Sequence, residues 1–149
     1  MENIKSTSKS GVAFTYGVLA TYGDTGNNKR EQTATINLNG STVIRNLDAI
    51  GKSEADVYAL AAEGNGVINV NGDLLIENIG DSSSLTSDVE RYYNAVVAAG
   101  GSVNINVAGN AENKIRITGD LASYMENSAI NLHLSLIHIS EPTRQEAIS

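Results

Sequence analysis

The sequence predicts an all-β protein, a parallel β-helix (solenoid) of about three rungs with a partial fourth. Three observations lead there. A short string recurs in order along the chain, as INLNG at 36–40, INVNG at 68–72, INVAG at 105–109 and INLH at 130–133. Apolar and polar residues alternate with period two inside each copy, the pattern of a half-buried strand. Two further strand-like runs accompany each copy in the same order, so the recurring unit is a three-strand repeat.

The first two copies align without a gap, INLNGSTVIRNL against INVNGDLLIENI, with six identities in twelve positions. Ile36 and Leu38, Ile68 and Val70, and Val103, Ile105 and Val107 are expected to point inward. Asn37, Asn69, Asn104, Asn106 and Asn131 are expected to point outward. A second strand follows each copy after a Gly-containing turn: TVIRN at 42–46, LLIEN at 74–78 and KIRIT at 114–118, all rich in β-branched residues. A third precedes it and opens on Tyr: YGVLA at 16–20, YALAA at 58–62 and YNAVVAA at 93–99. VERYYNAVVAA also fits a short helix, but Val96, Val97 and the matching Tyr58 favour a strand. The loops are read at 21–33, 51–56 and 80–91, rich in Gly, Ser, Asn, Asp and charge.

Asn39-Gly40 and Asn71-Gly72 are hairpin signals that suit an antiparallel sandwich instead. Recurrence favours the solenoid. A sandwich has no reason to repeat three strands and their turns in one order, whereas in a β-helix each repeat is a rung and like side chains stack at the strand spacing of about 4.7–4.9 Å. Aligned rungs then place Arg45, Glu77 and Arg116 in one outward ladder of alternating charge. Stacked outward asparagines would form an amide ladder, with a glycan-binding face of Asn and Tyr as the functional alternative.

Composition fits thin, regular layers. Hydrophobic residues make up 41% but aromatics only 5%, so the core must be built from Ile, Val, Leu and Ala. A net charge of −7 argues against nucleic acid as a partner, since that would need a basic patch. There is no cysteine for a disulfide or thiolate site. No run approaches the roughly 20 apolar residues of a membrane helix, and GVAFTYGVLA is too short and polar for a signal peptide. Residues 1–13 are read as a poorly ordered N-terminal segment and 14–133 as the β-helix.

With the strands assigned, YALAAEGNGVINVNGDLLIENI and AVVAAGGSVNINVAGNAENKIRITGDL resemble the passenger repeats of bacterial autotransporters. The resemblance implies a right-handed parallel β-helix, secreted and displayed at a Gram-negative outer membrane through a downstream β-barrel. It implies a structural or adhesive role rather than an enzymatic one, with a host surface or glycan as partner, while the unpaired strand edges of an open β-helix end are expected to favour self-association. The runners-up are a β-helical polysaccharide-processing enzyme and a phage or surface-layer fibre.

Residues 134–149, LSLIHISEPTRQEAIS, hold the only proline, Pro142, and no Gly or Asn. LSLIHISEPTR resembles, letter for letter, one reading frame of the transposon end and adapter used in sequencing-library preparation. The tail is therefore expected to be non-native, and residues 14–133 to be a fragment of a longer passenger.

No catalytic, cofactor-binding or metal-binding residue is assigned from sequence, and no cofactor is expected. GDSSSL at 80–85 resembles the nucleophile block of GDS-type hydrolases, but a serine nucleophile needs a base and only His133 lies outside the tail, His138 being within it. The Gly-Asp pairs at 23–24, 72–73, 80–81 and 119–120 lack calcium-loop spacing and read as turn chemistry.

Overall fold

The computed structural model describes residues 1–21, 33–80 and 88–133. Among these, twelve strands follow one another without a helix: β1 Glu2–Thr7, β2 Val12–Thr21, β3 Thr35–Leu38, β4 Thr42–Ile50, β5 Glu54–Glu63, β6 Val67–Val70, β7 Leu74–Ile79, β8 Glu90–Ala99, β9 Ser102–Ile105, β10 Ile115–Ile117, β11 Asp120–Tyr124 and β12 Ala129–Leu132. Every third strand pairs, and every pairing between strands is parallel. The three sheets run β1-β4-β7-β10, β2-β5-β8-β11 and β3-β6-β9-β12. The chain thus advances by one strand in each sheet per circuit, the topology of a parallel β-helix. The Asn-Gly pairs close coils rather than hairpins, and residues 90–99 form a strand, not a helix.

Registered stacking turns the period-two pattern into columns. Ile36, Ile68, Val103 and Ile130 are consecutive partners through the third sheet, as are Leu38, Val70, Ile105 and Leu132. In the first sheet Ile44 pairs with Ile76 and Ile76 with Ile117, and in the second Val18, Leu60, Val96 and Leu121 are partners. The middle coils are driest: Ile44, Leu60, Ile68, Val70, Ile76, Val96, Val103 and Ile105 are all fully buried. Each such side chain contributes about 1.5–3 kcal/mol relative to exposure.

Corners require special backbone. In the long strands of the second sheet the pairing skips Gly17 and Ala59, where a Cβ added to Gly17 would lie 2.5 Å from the Ala59 carbonyl oxygen. In the first sheet the bend falls on Asn3, Asn46 and Asn78, with φ of 58°, 56° and 54°. Asparagine tolerates this left-handed conformation better than other residues with a Cβ. At the next corner Gly40 takes φ 87°, and Gly72 lies so close beneath it that a Cβ would sit 2.1 Å from the Gly40 carbonyl oxygen. That close approach, not a hairpin, is why Gly occupies position 72.

Four readings of the sequence are corrected. First, the described residues hold four coils of three strands, because residues 2–7, read as poorly ordered, form β1 and pair along β4. A 2.7 Å ion pair from Lys5 Nζ to Asp48 Oδ2 fastens β1 there. Second, the third copy of the repeat is not INVAG: Ile68 pairs with Val103 and Val70 with Ile105, so 102–105 is the stacked segment. Asn106 then leaves the strand at φ 58° and is buried, while Val107 is 45% exposed.

Third, Arg116 pairs with Leu75 rather than Glu77. The charge ladder is instead Glu2–Arg45–Glu77, with Arg45 3.0 Å from Glu2 and 3.8 Å from Glu77. Fourth, Tyr58 stacks on Asn94, so Tyr93 is the partner of inward Val57. The loops also shrink, since Glu54–Asp56 belong to β5 and Glu90 and Arg91 to β8. A slip of two residues keeps every side chain on its face, which is why period alone could not detect the second and third errors; a slip of one reverses the face, as at Tyr93.

Ile76 tests the stacking. It is fully buried between Ile44 and Ile117, and Ile76→Ala is expected to lower stability by about 2–5 kcal/mol. Urea unfolding followed by circular dichroism measures this, and a loss no larger than that of an exposed control such as Thr35→Ala would contradict the assigned core.

Candidate functional site

The outward faces carry two kinds of organised surface, and the first is a set of amide ladders. Asn69 donates to Asn37 at 2.9 Å, Asn104 to Asn69 at 2.9 Å and Asn131 to Asn104 at 2.8 Å, one amide per coil. A second ladder runs along the first-sheet corner, from Asn78 to Asn46 at 3.0 Å and Asn46 to Asn3 at 2.8 Å. Asn71 donates to Asn39 at 2.9 Å. Asn37, Asn69, Asn104 and Asn131 thus stack as the sequence implied, while Asn106 plays another part. Its Nδ2 donates to the carbonyls of Asn110 and His133, and its Oδ1 accepts from Asn110 N and Asn113 Nδ2, tying down the turn after β9. An inner ladder amide such as Asn69 spends one of its two N–H donors and one carbonyl lone pair along the stack, which fixes its orientation.

The second surface is a groove of about 310 Å³ over the second sheet, lined by Glu54, Asp56, Tyr58, Glu90, Tyr92 and Tyr124. Parallel register builds it. Phe14, Asp56 and Tyr92 are successive partners in one column, Glu54 and Glu90 in the next, and Tyr16, Tyr58 and Asn94 in a third. Asp56 therefore lies between two aromatic neighbours, which explains how an outward carboxyl is only 4% exposed. Tyr58 Oη donates to Asp56 Oδ2 at 3.2 Å, while Asp56 Oδ1 is buried with no hydrogen-bond partner among the described residues. Tyr92 Oη donates to Glu90 at 3.4 Å, and Tyr16 Oη to Glu63 at 3.3 Å. The Tyr16 ring stands 5.5 Å from that of Tyr58 and 6.2 Å from that of Phe14.

Electrostatics follow from this packing. Burial, reinforced by the neighbouring Glu54 carboxylate, raises Asp56 to about 6. Burial and Glu63 push Tyr16 up to about 12, and burial and Asp56 push Tyr58 higher still. Glu90 raises Tyr92. The phenols are thus hydrogen-bond donors at neutral pH, not nucleophiles. Among the described residues no Lys or Arg lines the groove, and no cluster of His, Cys, Asp and Glu could hold a metal ion.

The sequence presents Tyr16 and Tyr58 as equivalents but hides the groove, because the polar residues Glu54, Asp56 and Glu90 fall in stretches with loop composition. The available signal was E-x-D-x-Y at 54–58 against E-x-Y at 90–92, visible once both are treated as strand. His133 lies at the end of β12's coil, its backbone bonded to Ile105, with no serine placed beside it by any described contact. Residues 81–87 of the GDSSSL loop, Asp24, Asp81 and all of 134–149 including His138 lie outside the described residues. Asp73 accepts from Lys114 N at 2.8 Å, so it bridges to the next coil rather than capping its own turn, and Asp120 opens β11. No family model, curated protein or solved structure matches this chain.

Two measurements probe these surfaces. Because Asp56 binds its proton more tightly folded than unfolded, the native state carries the extra proton between pH 3.8 and about 6. Stability should therefore fall as pH rises through that window, and Asp56→Asn should flatten the fall and raise Tm above pH 6. Scanning calorimetry from acid to neutral pH reads both, and a variant profile parallel to the parent would refute the burial account. In the ladder, Asn69→Thr interrupts two bonds and should cost about 1–3 kcal/mol by denaturant titration, whereas unchanged stability would mean that the amides contribute nothing rung to rung.

Proposed function

We propose that the described coils are part of a surface-displayed β-helical rod of the autotransporter-passenger type, structural or adhesive in role, continuing beyond this segment toward an outer-membrane barrel. One observation carries the reading most directly. Thirteen residues separate β2 from β3 and only three separate β5 from β6, yet the register and both main asparagine ladders run through unaltered. A stalk whose coils keep register across connections of such unequal length is suited to presenting loops outward, where recognition segments usually reside. A host surface or glycan is the partner class in this proposal.

A second reading, a β-helical enzyme acting on polysaccharide, has one observation in its favour: the acidic face of Glu54, Asp56 and Glu90, with Asp56 raised to about 6. Paired carboxyl groups of unlike protonation are what glycoside cleavage uses.

Location and activity separate the two. On intact source cells, an antibody raised against residues 33–133 should label the surface, and external protease should remove the signal. Protection until lysis would overturn surface display. Release of reducing sugar ends from polysaccharide, abolished by Asp56→Asn, would replace the rod reading with the enzyme. Among the described residues the outermost strands at both ends of the stack have no partner on one edge, which favours pairing between copies, so residues 1–133 alone should sediment as species larger than a monomer. A sharp, reversible monomeric unfolding transition would contradict that.

A further inference from the structure

Among the described residues, the groove over the second sheet concentrates negative charge with no basic side chain lining it. Glu54 and Glu90 are direct partners on adjacent parallel strands, an arrangement of like charges that is unfavourable when left uncompensated. Asp56 is buried, lines the same groove and has an oxygen without a hydrogen-bond partner among the described residues. The three other lining residues are Tyr58, Tyr92 and Tyr124. We propose that this groove binds an alkylammonium ligand, its N–H donors directed to the Glu54, Glu90 and Asp56 carboxylates and its methylenes lying against the tyrosine rings.

Three features select this chemistry over other cations. Carboxylate oxygens are acceptors only, so an ammonium supplies the hydrogens they lack. Tyrosine faces attract organic cations through the ring quadrupole and offer apolar surface to their methylenes. Among the described residues no carboxylate cluster could hold a metal ion, so a compact divalent cation has no matching set of ligands. A volume of about 310 Å³ lies at the small end of ligand sites and accommodates an aliphatic amine. The proposal concerns the groove alone and does not depend on surface display.

The test uses the full 149-residue chain and follows the tyrosine ring resonances by NMR. Cadaverine, and separately Nα-acetyl-lysinamide, are titrated against magnesium chloride at equal ionic strength. Saturable shifts of Tyr58 and Tyr92 are expected, with a Kd of about 1 mM or tighter for the diamine. Glu54→Gln/Glu90→Gln should weaken binding at least about tenfold, equivalent to about 1.4 kcal/mol. Tyr92→Phe keeps the ring and should retain binding, while Tyr92→Leu should lose it. An unchanged thermal transition in each variant shows that the fold persists. Binding of the diamine alone identifies a free polyamine as the ligand type, and binding of both probes extends it to a lysine side chain. Non-saturating shifts, equal shifts with magnesium, or undiminished binding by the glutamine variant would each overturn the proposal.

Discussion

Parallel register between coils is the constraint on which everything else here depends. Each strand hydrogen-bonds to the equivalent strand one circuit away, so every side chain meets a defined partner about 4.7–4.9 Å above and below it. An inward position must be aliphatic because its neighbours in the column are, as with Ile36, Ile68, Val103 and Ile130. An outward position must offer something its neighbour can use, hence Asn on Asn and Glu–Arg–Glu at residues 2, 45 and 77.

The same constraint makes corners expensive and residue-specific. A coil can close only if the chain turns at the same height in every circuit, and the left-handed asparagines at 3, 46 and 78 do this while bonding amide to amide. They serve two roles at once, supplying the backbone conformation and satisfying their own polar groups. Gly72 is the converse case, where the approach of the Gly40 backbone leaves no room for any side chain. Rung-to-rung contacts of this kind give a solenoid its stability, since each coil rests only on its neighbours.

Stacking also generates the groove. None of its residues is unusual in its own strand, yet register brings Phe14 and Tyr92 to either side of Asp56 and sets Glu54 against Glu90. The raised proton affinity of Asp56 comes first from burial in that sandwich, and the Glu54 carboxylate on its own strand adds to it. A face that breaks the like-on-like rule, with acid between aromatics and acid against acid, stands apart from the neutral amide ladders on the neighbouring sheets. Departures from local consistency of this sort concentrate where a protein does something besides fold.

By itself the sequence determined the fold class, the three-strand repeat and the inward or outward parity of most positions, because alternation and recurrence are properties of single strands. Asn37, Asn69, Asn104 and Asn131 were legible as a stacked outward set for that reason. Only the tertiary structure decided register: that Val103 rather than Ile105 lies over Ile68, that Arg116 misses Glu77, and that Tyr93 turns inward. It also brought Glu2–Thr7 into the stack as a first coil, although their own pattern is weak. The physical reason is that a two-residue slip preserves parity, so the choice among slips rests on turn length, left-handed corner residues and glycine contacts that exist only between coils. The acidic groove inherits that dependence, since its composition is set by which residues of β2, β5 and β8 are brought level.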